Sequence, residues 1–129
     1  MAGYTFAEYQ VAAARTATPV VDGQDREHLA NFALGLTGEA GEVADAIKKH
    51  LFHGKALDRD HVAKEIGDVL WYVSMLATTL GFELDELAER NVAKLKARYP
   101  DGFSEADSEA RRDEMDVPDA AEEMALAAD

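Results

Sequence analysis

The sequence predicts an all-α protein, a four-helix-bundle-like domain that is completed by oligomerisation. Four segments repeat apolar residues at close to a 3.6-residue period, which is the pattern of amphipathic helices. Each segment begins or ends at a capping residue, a glycine or a proline. The third segment is apolar on nearly all sides, which in a chain of 129 residues indicates that a second subunit covers it.

Composition narrows the class of protein. The 26 acidic residues outnumber the 13 basic ones, for a net charge of −13. This balance argues against a nucleic-acid partner, because phosphate contacts need a basic surface. The chain has no cysteine, which excludes disulfides and thiolate metal sites. No signal-peptide pattern and no apolar run of about 18 residues occur, so we expect a cytoplasmic protein without a membrane partner.

The first helix is predicted from about Thr5 to Thr16. Thr5 and Glu8 have the spacing of a capping box, in which each side chain accepts a hydrogen bond from the backbone of the other. Pro19 disfavours helical geometry at the residue before it, so the helix ends there. Residues 20–24 are predicted to form a loop.

The second helix is predicted over about residues 25–51. Gly35, Gly38 and Gly41 interrupt it, although each glycine costs about 1 kcal/mol relative to alanine inside a helix. The three-residue spacing indicates a strip of close approach. Either another helix crosses there, or the space holds metal, water and substrate. The apolar stripe of this helix consists of Leu29, Phe32, Leu36, Ala40, Val43, Ile47 and Leu51.

The third helix follows a loop over residues 52–57. Asp58 or Asp60 is predicted to cap it, and it runs to about Leu80, where Gly81 ends it. Its apolar residues lie on most of its circumference, as in a helix that is buried on several sides.

The fourth helix is predicted from Leu84 or Asp85 to about Tyr99, before Pro100. Beyond it the chain becomes acidic and rich in alanine. We therefore predict one domain over residues 1–103 and an acidic, disordered tail over residues 104–129.

Two short segments share the pattern acid-x-Gly-acid-Val, residues 39–43 and 65–69. Residues three apart lie on one face of a helix, with Cβ atoms roughly 5–6 Å apart. Each segment therefore presents two carboxylates at the same edge of its apolar stripe. If the helices face each other, all four carboxylates converge, and their repulsion requires a cation. We predict a metal site formed by Glu39, Glu42, Glu65 and Asp68.

The ligand set at this site is entirely oxygen. Hard oxygen ligands favour Mg²⁺, with Mn²⁺ as a possible substitute, over zinc or iron. His61 lies one turn before Glu65 and is expected in a capping turn or at the surface. Mg²⁺ in proteins binds through a few carboxylates together with water and substrate phosphates. The pattern therefore indicates chemistry on a phosphate ester or phosphoanhydride.

A phosphorylated substrate also needs cations. Asn91, Lys94 and Arg98 fall on one face of the fourth helix, and Lys49 follows the first acid pair by about two turns. Exposed lysines are common on helices, so this face is a candidate for phosphate binding and also fits an ordinary solvated surface.

Three blocks of the sequence resemble the MazG-like nucleotide pyrophosphohydrolases of the all-α NTP pyrophosphatase superfamily. They are LTGEAGEVADAIKK (36–49), EIGDVLWY (65–72) and NVAKLKARYPDGF (91–103), within a resemblance that covers about residues 5–103. The resemblance implies Mg²⁺ binding by Glu39, Glu42, Glu65 and Asp68. It also implies phosphate and sugar contacts from Asn91, Lys94, Arg98 and Tyr99.

The resemblance further implies hydrolysis of a nucleoside triphosphate to a monophosphate and pyrophosphate, by a homodimer or homotetramer. Glu39 or Glu42 is expected to act on the attacking water, and Trp71 is a candidate to stack on the base. Two alternatives stay open. One is dUTPase-like or dCTPase-like specificity on the same acids, and the other is a helical protein that binds metal and nucleotide without catalysis. Housecleaning of the nucleotide pool is one cellular role that fits.

Overall fold

A computed structural model describes residues 3–18 and 25–111 of the chain. Within these two ranges the only regular elements are helices, which confirms the predicted all-α class. None of these helices has both the length and the apolar character that a membrane span needs. The predicted loop at 20–24 and residues 112–129 of the predicted tail lie outside the described residues. The helices are α1 (Phe6–Ala14), α2 (Asp25–His53), α3 (Arg59–Thr79), α4 (Leu84–Arg98) and α5 (Glu105–Ala110).

The helix ends follow the capping residues. The backbone N–H of Glu8 donates to Thr5 Oγ1 at 3.2 Å, and the backbone N–H of Thr5 donates to Glu8 Oε2 at 2.8 Å, so the predicted capping box is present. Asp58 Oδ1 accepts from the backbone N–H of His61 at 3.0 Å and starts α3. Gly81 follows α3 in the left-handed region, with φ at +78°.

The described chain divides into two compact units, one up to Asp85 and one from Glu86 onward. In the first unit, α2 packs along α3, and α1 packs against α3. Ala13, Phe32 and Met75 form the centre of its core, one from each helix. Trp71 and Tyr72 pack against this centre, with their ring planes perpendicular to each other.

Gln10 attaches α1 to the end of α3. Its Nε2 donates to Thr78 Oγ1 and to the backbone carbonyl of Phe82, both at 2.9 Å. Its Oε1 accepts from the buried backbone N–H of Leu84 at 2.8 Å. A single buried amide thus satisfies groups on α3 and on the turn that leads into α4, which fixes the position of α1.

The glycines of α2 have two different environments. A Cβ atom at Gly35 would lie 2.1 Å from the ring of Tyr72, so α3 approaches α2 closely at this point. A Cβ at Gly38 or Gly41 would meet no atom within 4 Å. The glycine strip therefore combines a tight crossing at one end with open space at the other.

Part of the predicted apolar stripe is exposed in the single chain. Leu51 is 64% exposed on α2, and on α3 Ile66 is 55% and Leu80 57% exposed. The sequence predicted that apolar residues of this bundle need a second subunit to cover them, and no described element of the first unit covers these three side chains. The second subunit that would cover them stays a prediction.

The second unit contains the rest of α4 and the short helix α5. Ser104 caps α5, since its Oγ accepts from the backbone N–H of Asp107 at 3.0 Å. This helix falls at the start of the segment predicted as a tail. The predicted boundary at residue 103 stays a prediction.

Candidate metal centre

Three carboxylates from α2 and α3 lie together. Glu39, Glu65 and Asp68 each offer one carboxylate oxygen, and these oxygens all lie within 4.8 Å of one another. Glu39 and Glu65 are half-buried, whereas Asp68 is exposed. We call these three residues the acid cluster. It lies at the packed faces of the two helices. The matched segments predicted a metal site of these three residues together with Glu42, and that assignment stays a prediction.

The neighbouring acids raise the proton affinity of Glu39. Desolvation is the main effect that raises the pKa of Glu39, and a hydrogen bond with the Glu65 side chain raises it further. The charges of Asp68, Glu65 and Glu42 act in the same direction. Such mutual repulsion is relieved by a proton or by a metal cation between the oxygens.

Glu42 is separate from this cluster. Although the sequence pattern groups it with the other three acids, its carboxylate is exposed and lines a neighbouring groove. Helical spacing places Glu42 one turn from Glu39, but the rotation of α2 against α3 directs only Glu39 at the partner helix. Its assignment as a metal ligand stays a prediction.

His61 contacts the cluster from the first turn of α3. Its Nδ1 lies 3.3 Å from Glu65 Oε1, while its backbone N–H is bound by the cap residue Asp58. The sequence indicated a capping-turn or surface histidine, and the ring is indeed about half exposed. The one-turn spacing between His61 and Glu65 was the signal for this contact.

Tyr9 on α1 lies near the cluster, and Trp71 on α3 packs against the core. Burial raises the pKa of Tyr9, and the charge of Asp68 raises it further, so the phenol is within electrostatic range of that carboxylate. The indole N–H of Trp71 donates to Thr16 Oγ1 at 2.9 Å and to the Ala13 carbonyl at 3.2 Å. Trp71 therefore holds the end of α1, and its predicted contact with the base stays a prediction.

A polar groove of about 220 Å³ lies next to the cluster, between the second half of α2 and the start of α3. Asp45 binds both Lys48 and Lys49 on α2, and these hydrogen bonds lower the pKa of Asp45 to about 2. The same pairing raises the pKa of Lys49. We call this cavity the α2–α3 groove; its polar lining is Glu42, Asp45, Lys49, Lys55, Asp58 and His61.

Open space surrounds the backbone near the acids. A Cβ atom at Gly38, Gly41 or Gly67 would meet nothing within 4 Å. Two of these glycines lie within the matched acid-x-Gly-acid-Val segments themselves. The helix surface beside the carboxylates is therefore bare, which leaves room for water and a ligand.

The other predicted substrate residues lie in the second unit. Asn91 and Lys94 are exposed on α4. Arg98 is the last residue of α4, and the ring of Tyr99 lies 5.5 Å from that of Phe103. Their assignment to the substrate stays a prediction.

Comparison with known proteins identifies the family. Residues 27–103, more than half of the chain, match the MazG nucleotide pyrophosphohydrolase domain. The chain is also 37% identical over 109 residues to the Gene 37 protein of Mycobacterium phage L5, a match that covers 80% of this chain and 96% of that protein. No solved structure matches. The matched range contains the whole acid cluster, and the chain belongs to the MazG nucleotide pyrophosphohydrolase family.

Proposed function

We propose that the protein hydrolyses nucleoside triphosphates between the α and β phosphates and requires Mg²⁺, with Mn²⁺ as a possible substitute. The observation that carries this proposal is the convergence of Glu39, Glu65 and Asp68 inside the family-matched region. Membership of the family supports nucleotide pyrophosphohydrolase activity in general. The site chemistry supports the metal and the phosphoanhydride bond.

The acid cluster fits a small, hard cation. Its donors are all carboxylate oxygens, which Mg²⁺ prefers. Glu39, Glu65 and Asp68 would hold such an ion between carboxylate oxygens that lie within 4.8 Å of one another. A bound Mg²⁺ supplies neutralisation of phosphate charge and acidification of water.

A carboxylate of the site also takes up the proton that the attacking water releases. A water oxygen forms a bond to the α-phosphorus, and the bridging bond between the α and β phosphates breaks. The bonding electrons leave with pyrophosphate, and the carboxylate of Glu39 or Glu42 takes the water proton. Glu39 is the half-buried member of this pair and Glu42 the exposed one.

The predicted substrate residues stay candidates for substrate recognition, each in its own unit. Lys49 lines the α2–α3 groove, and Trp71 packs beside Tyr72 one turn beyond Asp68. Asn91, Lys94, Arg98 and Tyr99 remain the proposed contacts to phosphate and sugar. We further propose a homodimer or homotetramer that acts in the cytoplasm on NTPs or dNTPs, including non-standard ones, with housecleaning of the nucleotide pool as its role.

The test is pyrophosphate release from a panel of ribonucleotides, deoxyribonucleotides including dUTP and dCTP, and altered nucleotides, with and without Mg²⁺. Metal-dependent pyrophosphate, matched by an equal amount of monophosphate, supports the reaction. If no nucleotide of the panel releases pyrophosphate while Mg²⁺ and nucleotide still raise Tm, the result supports a protein that binds without catalysis.

A second experiment tests the role of Glu42. Glu42→Gln is expected to remove turnover and leave the fold intact, because the exposed side chain contributes little to packing. Circular dichroism checks the fold. Turnover at the wild-type rate in this variant contradicts the assignment of Glu42.

A further inference from the structure

The charges of the α2–α3 groove are unevenly compensated. Asp45 forms ion pairs with Lys48 and Lys49. Asp58 accepts a hydrogen bond from the backbone N–H of His61. Across the described ranges, 3–18 and 25–111, the Lys55 ammonium has neither a hydrogen bond nor an ion pair. Lys55 is therefore an unpaired cation in a groove that also contains the Glu42 carboxylate, which has no hydrogen bond or ion pair within those ranges either.

The loop that carries Lys55 is held in place. Gly54 adopts a left-handed conformation, with φ at +66°, and turns the chain after α2. The backbone N–H of Lys55 donates to the Lys49 carbonyl at 3.3 Å. The Lys55 carbonyl accepts from His50 Nδ1 at 2.8 Å. Because both backbone groups are bound, the lysine is presented to the groove from a defined position.

The groove adjoins the acid cluster. Glu42 lines it at one side, and His61 links it to the cluster through the 3.3 Å contact with Glu65 Oε1. His61 precedes Glu65 by four residues, about 6 Å along the helix. If the phosphate chain of a substrate is held at the cluster, its outer phosphates extend about this far and reach the groove.

The volume of the groove indicates which part of a substrate it can hold. Its volume is about 220 Å³, below the roughly 300 Å³ at which pockets for drug-sized ligands begin. A volume of this size suits one or two phosphate groups better than a whole nucleoside triphosphate. The Lys55 ammonium matches that chemistry, and Mg²⁺ that accompanies the phosphates would offset the Glu42, Asp45 and Asp58 carboxylates of the lining.

We propose that the α2–α3 groove binds the β and γ phosphates of the triphosphate, and then the pyrophosphate product, with Lys55 as the contacting cation. This inference rests on the proposed function for the identity of the ligand. Lys55 stabilises the pyrophosphate end as charge develops on it. The nucleoside and its α-phosphate lie outside the groove.

The test is calorimetric binding of inorganic pyrophosphate and of a nucleoside monophosphate in the presence of Mg²⁺. Lys55→Ala is expected to weaken pyrophosphate binding by at least about tenfold, the value of a charge-assisted hydrogen bond, and to leave monophosphate binding unchanged. Lys48→Ala is the matched control, since it removes the same charge from a lysine outside the groove. Lys55→Arg is expected to restore most of the affinity.

Three results overturn the proposal: equal losses in Lys55→Ala and Lys48→Ala, an equal loss for the monophosphate, and no pyrophosphate binding by the wild type. The proposed function fails separately. If the wild type hydrolyses no triphosphate and Lys55→Ala still weakens pyrophosphate binding selectively, the reaction is wrong and the groove assignment stands.

Discussion

The acidic residues of the two matched segments differ in their surroundings. Glu39 and Glu65 are half-buried between α2 and α3, whereas Glu42 and Asp68 are exposed. Only Glu42 lies apart from the cluster and faces the groove instead. Four similar side chains thus have two different surroundings, the acid cluster for three of them and the α2–α3 groove for Glu42.

Replacement of Glu39 tests whether the cluster is built for a cation. Glu39→Gln removes one of three converging charges, so we expect the metal-free protein to keep or raise its Tm. Mg²⁺ at about 100 times its Kd adds about 2.7 kcal/mol to the wild type, and this gain is expected to shrink in the variant. Thermal melts with and without Mg²⁺ measure both effects. Glu83→Gln, at an exposed position, is the control, and an unchanged Mg²⁺ effect in Glu39→Gln contradicts the site.

Asp45 gives the protein a specific pH dependence. Hydrogen bonds from Lys48 and Lys49 lower its pKa to about 2 in the folded state, below the value of about 3.9 in an unfolded chain. Stability from this pairing is therefore present above about pH 3.9 and is lost as the pH falls toward 2. Asp45→Asn is expected to show a shallower loss of stability over that range in denaturant titrations. A loss as steep as that of the wild type contradicts the pairing, and Asp101→Asn is the exposed control.

At the scale of helices, the close approach of α2 and α3 depends on a missing side chain. Gly35→Ala puts a Cβ atom 2.1 Å from the Tyr72 ring, so we expect a loss of about 1–3 kcal/mol from overpacking. Gly38→Ala meets open space and is expected to gain up to about 1 kcal/mol from helix propensity. Denaturant titration of the two variants compares the same substitution one turn apart. Equal changes in both variants contradict the tight crossing.

Most helix ends could be predicted from the sequence because local chemistry determines them. The Thr5 and Glu8 side chains, the Asp58 cap and the Gly81 stop all act within a few residues of the backbone groups that they satisfy. The predicted end of α2, near Leu51, fell two residues short of His53. No strong stop signal precedes Gly54.

The candidate site could be predicted only in part, for a geometric reason. Helical spacing places Glu39 and Glu42 on one face, but it does not give the rotation of α2 against α3. That rotation sends Glu39 into the cluster and Glu42 into the groove. Lys55 went unnoticed because a lone lysine in a loop has no pattern, and its position depends on tertiary contacts.

At the scale of the whole molecule, one subunit leaves much apolar surface uncovered. Leu34 is 74% and Phe52 77% exposed on α2, in addition to Leu51, Ile66 and Leu80 of the predicted stripes. Exposed large apolar side chains in this number favour an interaction surface. It supports the prediction that the bundle is completed by further copies of the chain.

Sedimentation measures this association directly. We expect a dimer or tetramer at micromolar concentration, and Phe52→Asp is expected to shift the equilibrium toward the single chain, because a charge at the interface costs desolvation. Tm should rise with protein concentration in the wild type. A single-chain mass for the wild type at every concentration contradicts the prediction.

The anchoring of Trp71 gives the protein a built-in optical reporter. It is the only tryptophan in the chain. Its indole N–H is bound to the end of α1, and its position on α3 is one turn from Asp68. Selective excitation of this single fluorophore therefore reports, without any label, on the attachment of α1 and on events at the neighbouring carboxylates. Emission intensity and wavelength during a titration can follow cation arrival and helix detachment in the same sample.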